Sequence, residues 1–148
     1  LLVRETLSRW QTAEATRRHY LDTYEDPKRP ELVKALDLVA DMHRVATATG
    51  HRFLVMLWPL LHRLDDYPFE VAHHRVVEGL TARKVPVLDL LPTFRGQDET
   101  LLHVHPTDHH PNEVAHRMAA ESLAVELGRQ GWLGSPAAPG APGVQSNP

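Results

Sequence analysis

The chain carries RFLVMLW at residues 52–58 and VPVLDLL at residues 85–91, two apolar runs of strand length. Neither run alternates apolar with polar residues, which is typical of strands that are covered on both faces. Such strands belong mainly to parallel sheets that lie between layers of helices. The two runs therefore predict buried strands of one parallel sheet.

Helical patterns flank the two strands. Over residues 31–49 apolar side chains recur at spacings of three and four, and Gly50 stands where a helix commonly ends. A weaker helical pattern covers residues 70–83, and another covers residues 113–127 with Asn112 as its N-cap. The order helix, strand, helix, strand is the signature of an α/β fold.

The composition argues against several classes of protein. The 148 residues carry a net charge of −3 with no basic stripe, so nothing indicates nucleic-acid binding. The longest apolar run, residues 53–61, is far shorter than the roughly 20 residues that span a bilayer. The absence of cysteine excludes disulfides and thiolate metal ligands. No cofactor is indicated, and localisation and oligomeric state stay open.

The sequence divides into one domain at residues 1–133 and a tail at residues 134–148 that is rich in Pro, Gly and Ala and is predicted to be disordered. Residues 4–24 predict a further helix with a thin apolar stripe. Because the chain starts at Leu1 inside this pattern, we expect further sequence upstream. A sheet without those upstream strands has an exposed edge, so we expect the chain alone to be marginally stable or aggregation-prone.

Candidate chemistry lies near the end of the domain, where five of the eleven histidines fall between residues 103 and 116. Residues 105–112 contain two prolines and are predicted to form a loop, at the sheet edge where α/β proteins bind ligands. An imidazole there, such as that of His110, can act as a general base near neutral pH. The carboxylate of Asp108, two residues earlier, can orient the ring and stabilise the imidazolium.

The pattern Asp-x-His-Pro-Asn at residues 108–112, followed by the Ala119-Ala120 pair, resembles the last block of SGNH/GDSL-type serine hydrolases. The resemblance covers about residues 31–131. It implies a three-layer α/β/α sandwich with a parallel sheet (the flavodoxin-like SGNH fold), incomplete here at its amino terminus. It also implies hydrolysis or transfer of an acyl group at a small-molecule ester, with Asp108 and His110 as two members of a catalytic triad.

The chain departs from that family in its serines. The family's nucleophile stands in a Gly-Asp-Ser setting, and its oxyanion-hole Gly and Asn come from two later blocks; this chain has no counterpart of any of them. None of its four serines resembles the nucleophile: Ser8, Ser122, Ser135 and Ser146. We therefore expect the nucleophile and the oxyanion donors upstream of Leu1. The parent protein would then be an enzyme, whereas this chain alone would be inactive.

Other interpretations of the same segment stay open. His103, His105, Asp108 and His109 offer nitrogen and oxygen ligands that suit zinc. They resemble the ligand motif of metallo-β-lactamases, with one residue too many in the spacing and no later ligand block. A non-catalytic binding domain of the same fold, or a plain surface turn that caps a helix, also accommodates the pattern.

The remaining polar and aromatic candidates have structural interpretations. His109 and His116 are interpreted as neighbours of the site. Asp89, at the end of the second predicted strand, is interpreted as a residue that caps or turns the chain, although from that position it could also approach the site. Trp58 and Tyr67 fit either a core or an acyl pocket. A partly solvated helix face is predicted to carry His73 and His74.

Overall fold

The computed structural model describes residues 18, 21–22 and 24–133 of the chain, which form a mixed α/β structure. The predicted helix over residues 4–24 lies almost entirely outside the described residues, and the predicted tail at residues 134–148 lies outside them altogether. The elements follow in this order: α1 (Pro30–Ala48), β1 (Val55–Leu57), α2 (Glu70–Ala82), β2 (Val87–Asp89), α3 (Leu91–Phe94), β3 (His103–His105), β4 (Asp108–Pro111) and α4 (Glu113–Arg129).

Strands β1 and β2 pair in parallel, which confirms the predicted pairing of the two apolar runs. Their predicted burial is wrong, because all six strand residues are at least partly exposed and Met56 is 37% exposed. Val55 lies opposite Val87, and Leu57 lies opposite Asp89. The Leu90 N–H donates to the Leu57 carbonyl at 3.0 Å and so extends the ladder beyond the strands. Each strand has only three residues, shorter than the apolar run that contains it.

The predicted loop at residues 105–112 is wrong, because most of it belongs to an antiparallel hairpin of β3 and β4. His103 pairs with Pro111 and His105 pairs with Asp108, with an irregularity between the two pairs. The two prolines allow this arrangement because one falls in the turn, where a fixed φ is favourable, and the other is the last residue of β4.

Helix α4 starts at the predicted N-cap. The Asn112 side-chain oxygen accepts hydrogen bonds from the backbone N–H groups of Val114 and Ala115 at 2.9 and 3.1 Å. Its amide nitrogen donates to the carbonyls of Leu101 and His103 at 2.9 and 3.1 Å. One side chain therefore caps α4 and ties it to the start of the hairpin.

The end of α1 also follows the prediction. Gly50 has φ of +77°, a left-handed conformation that glycine adopts without strain. The Gly50 N–H donates to the Thr47 carbonyl at 3.1 Å. The chain thus leaves the helix at Gly50 and turns towards β1.

The apolar core has two parts. One joins α1, α2 and the entrance to β2, and consists of Leu32, Leu36, Leu80 and Val85. The other lies where the two parallel strands end and contains the buried side chains of Leu61, Leu64, Tyr67, Leu90, Leu91, Phe94, Leu102, Ala115 and Ala119. Both alanines of this second part lie on α4, so α4 packs against the segments that follow β1 and β2. No helix within the described residues is long and apolar enough to cross a membrane.

Candidate functional site

The side chains of His110 and Asp108 are in contact on strand β4. His110 Nδ1 lies 2.5 Å from Asp108 Oδ1, and the His110 backbone N–H donates to the same oxygen at 3.1 Å. Both side chains face solvent, with 86% of the His110 side chain exposed and 48% of that of Asp108. This exposure leaves the second ring nitrogen of His110, Nε2, accessible to a reacting group.

The local backbone explains this contact. In an extended strand, residues i and i+2 project to the same side, so Asp108 and His110 meet while the residue between them turns away. That residue, His109, stacks on His103, with ring centroids 4.5 Å apart and planes 14° apart. The His109 ring thus packs against His103 and does not contact the Asp108–His110 pair through this stack.

The charge state of Asp108 follows from its donors. The His110 ring and backbone N–H groups both hydrogen-bond the carboxylate and hold the pKa of Asp108 below its ordinary value of 3.8. Because a carboxylate only accepts hydrogen bonds, the proton between the two residues is on His110 Nδ1. In neutral imidazole, Nε2 then carries the lone pair that can take a proton.

The hairpin that carries the pair is held at its base by two side chains. His103 Nε2 lies 2.7 Å from the carbonyl oxygen of Leu61, in the segment that follows β1. Asn112 binds the carbonyls of Leu101 and His103, as described above. At the tip of the hairpin the contact is between near neighbours in sequence: His105 Nδ1 lies 2.9 Å from Thr107 Oγ1. The base is thus fixed to the segment that follows β1 and to the N-cap of α4.

The histidine cluster does not form a metal site in this structure. Among the described residues, no group of three or more His, Asp or Glu side chains is arranged to hold a metal ion. His103 and His109 face each other as stacked rings, and His103 uses Nε2 on a carbonyl oxygen. Nothing in the geometry of these histidines therefore favours the zinc alternative.

Of the four serines, Ser122 is the one that lies within the described residues. Its hydroxyl pairs with Thr93 Oγ1 at 2.9 Å, between α3 and α4. Ser122 is ten residues beyond Asn112 along α4, which corresponds to about 15 Å of helix rise. It is therefore too far along the helix to serve as the partner of His110.

A second polar constellation lies at the ends of the parallel strands, and the sequence did not predict it. His73 Nδ1 lies 2.9 Å from Asp89 Oδ1, and His73 Nε2 lies 3.4 Å from the Tyr67 hydroxyl. The Leu60 N–H donates to that hydroxyl at 2.9 Å. The predicted solvation of His73 is wrong, because the residue is only 6% exposed. His74 is exposed, as predicted, and pairs with Glu78.

The physical reason for the burial of His73 is its partner. Asp89 ends β2 and reaches the helix that packs on it, so the imidazole is buried with its Nδ1–H group satisfied. Asp89 also accepts from the Leu91 N–H at 2.9 Å, which is the turning role predicted for it. A spacing of sixteen residues between His73 and Asp89 gives no periodic signal in the sequence; only a packed helix and strand bring them together.

A cavity of about 160 Å³ lies beside this second constellation. Its walls include Trp58, which follows β1, and Ala72 on α2, together with Tyr67 and His73. Trp58 also contacts the ring of His116 on α4, at 5.3 Å between centroids. Trp58 therefore lines the cavity and also contacts α4.

Comparisons of the chain with protein-family models, with curated proteins and with solved structures find no match. The functional interpretation therefore depends on the residues and contacts described above.

Proposed function

We propose that this chain is the carboxy-terminal part of an acyl-ester hydrolase or acyl transferase of the SGNH/GDSL type, with a three-layer α/β/α fold. In this proposal His110 is the general base and Asp108 is the residue that orients it. The supporting observation is the 2.5 Å hydrogen bond between His110 Nδ1 and Asp108 Oδ1, on a strand that opens directly onto a capped helix.

The proposed reaction uses a serine outside this chain. The serine hydroxyl attacks the ester carbonyl while His110 Nε2 takes its proton, and the imidazolium then protonates the leaving alcohol. Asp108 holds the Nδ1–H tautomer and stabilises the positive charge that His110 carries between the two transfers. The donors that bind the oxyanion also lie outside this chain.

The electrostatics of the pair suit these roles. The pKa of Asp108 lies below its ordinary value, so this carboxylate stays ionised wherever His110 would act as a base. The exposed imidazole leaves Nε2 open to a serine on a neighbouring segment. The hairpin that bears both residues is fixed through His103 and Asn112, which would hold Nε2 in a constant position.

The test is the His110→Ala variant of the full-length protein with a short-chain nitrophenyl ester as substrate. We expect kcat/KM to fall by at least about 10³-fold, because the serine loses its base. The matched control is His105→Ala on the same hairpin, whose ring contacts Thr107, and this variant should keep its activity. Unchanged turnover in His110→Ala would contradict the proposal.

A further inference from the structure

The cavity beside His73 has mostly apolar walls and is also lined by three residues with polar side-chain atoms, Tyr24, Tyr67 and His73. Its apolar side chains are Leu57, Trp58, Leu60, Phe69 and Val76. Two of the polar atoms, the Tyr67 hydroxyl oxygen and His73 Nε2, lie 3.4 Å apart. Such a site, mostly apolar with a few convergent polar groups, is the usual form of a pocket for a small molecule.

The charges around the cavity select against an anionic ligand. Burial raises the pKa of Tyr67 to about 12, so its hydroxyl stays protonated and neutral. Asp89, behind His73, is a carboxylate that hydrogen bonds from His73 and Leu91 help to keep ionised. An anionic ligand would lose its hydration among apolar walls and meet this negative charge, whereas an uncharged ligand would lose little.

The size of the cavity sets the size of the ligand. An apolar protein cavity of about 150 Å³ accommodates a benzene molecule. At about 160 Å³, partly open to solvent, this cavity matches an aromatic ring or an acyl chain of similar volume. The Tyr67 hydroxyl, which accepts from the Leu60 N–H, keeps its own proton for an oxygen on the ligand or for His73.

The cavity is also linked to the candidate base. Trp58 forms part of its wall and contacts His116 on α4, one helical turn after the N-cap Asn112. Leu61, which follows the cavity residue Leu60, binds the ring of His103 at the base of the hairpin. The segment of residues 58–61 therefore contacts both the cavity and the base of the hairpin that carries His110.

We infer that this cavity is a binding site for an uncharged apolar group of about the size of a benzene ring, and that it holds the acyl or alcohol part of the ester. The second half of this inference rests on the proposed function. The first half concerns binding alone, so its test is independent of whether the protein turns over an ester.

The experiment titrates phenol into the full chain and follows the Trp58 indole and His73 ring signals by NMR. Phenol carries an uncharged ring and one hydroxyl, and we expect saturable shifts at both residues. Benzoate, a ring of similar size with a negative charge, should bind at least about tenfold more weakly. Its carboxylate would lose its hydration in the cavity and would be repelled by the negative charge of Asp89.

Two variants on the same helix locate the binding. Ala72→Leu places three further carbons at the wall of the cavity and should weaken phenol binding at least about tenfold. Val71→Leu is the matched control, since Val71 is 46% exposed and should leave binding unchanged. If Ala72→Leu does not fold, Val76→Phe fills the cavity from the next turn of α2.

Three results would overturn the inference: no saturable phenol binding, equal binding of benzoate, or undiminished binding in a folded cavity-filling variant. Loss of ester turnover in His110→Ala with intact phenol binding would support both proposals. Intact turnover in that variant with intact phenol binding would sink the proposed function and leave the binding site standing.

Discussion

His73 and Asp89 connect helix α2 to the end of strand β2 through a hydrogen bond of 2.9 Å between Nδ1 and Oδ1. The same carboxylate oxygen accepts from the Leu91 N–H, where α3 begins. Burial disfavours the charged form of Asp89, but the hydrogen bonds from His73 and Leu91 outweigh it and hold the pKa of Asp89 below its ordinary value of 3.8. The carboxylate therefore stabilises the fold in its ionised form.

Asp89→Asn should lower the free energy of unfolding by about 1–3 kcal/mol near neutral pH, the usual contribution of hydrogen bonds to a charged group. Because the folded-state pKa is depressed, this contribution is present above the unfolded pKa of about 3.9 and is lost as pH falls through the folded value. Denaturant unfolding at about pH 7 and about pH 3 should show the difference between the two proteins shrinking in acid.

Asp41→Asn is the control, because Asp41 is exposed on α1 and its ion pair with Arg44 lies across the helix surface. We expect almost no change in its free energy of unfolding. A difference between Asp89→Asn and the unmodified chain that stays constant from neutral to acid pH would contradict the role assigned to the Asp89 carboxylate.

Asn112→Ala should destabilise the chain by more than the roughly 1 kcal/mol typical of a lost N-cap. The side chain caps α4 and also binds the carbonyls of Leu101 and His103, so the change removes both functions. Asn112→Ser keeps a capping oxygen but lacks the amide that binds the carbonyls of Leu101 and His103. Its stability should therefore lie between those of the unmodified chain and Asn112→Ala. Thermal unfolding of the three proteins is the measurement, and a Tm of Asn112→Ala equal to that of the unmodified chain would contradict this account.

Gly79→Ala should destabilise the chain, although alanine is the better helix former. A Cβ at Gly79 would overlap the buried side chain of Leu36, so α1 and α2 would have to separate or Leu36 would have to change its rotamer, at a cost of about 1–3 kcal/mol. Gly128→Ala, on α4 with open space around it, should instead gain up to about 1 kcal/mol. Opposite signs in denaturant unfolding are expected, and equal stabilisation by both would contradict the close packing of α1 on α2.

Met42→Lys should reduce aggregation of the isolated chain. Leu38, Met42 and Val45 are all more than half exposed and lie on one face of α1, beside a two-stranded sheet. Light scattering on heating is the measurement. Val125→Lys is the control, since Val125 is 73% exposed but lies on α4 away from this face. An equal effect of the two substitutions would show that the α1 face has no special part in association.

The parallel strand pair was predictable from the sequence because an unbroken apolar run of strand length, such as residues 53–58, is typical of a strand in a parallel sheet. The N-cap at Asn112 and the left-handed Gly50 followed from local backbone chemistry, which depends on only a few neighbouring residues. The contact between Asp108 and His110 is also local. The N-cap, the left-handed Gly50 and the Asp108–His110 contact each depend on residues that are close together in sequence.

The hairpin and the buried His73 were not predictable in the same way. The prolines in residues 105–112 favoured a loop, but the pairing of His103 with Pro111 and of His105 with Asp108 makes the segment part of a strand pair. His73 is buried because Asp89 lies against it, and that contact requires α2 to pack on β2. Nothing in the sequence near either residue carries this information.

The most direct test of the proposed function compares Asp108→Asn, His110→Ala and the double variant of the full-length protein on one short-chain ester. If the two residues act as a unit, each single change should lower kcat by about 10³–10⁴-fold, and the double variant should be little worse than His110→Ala alone. Losses that multiply in the double variant, or full activity in either single variant, would contradict the assignment of His110 as the base and Asp108 as its orienting residue.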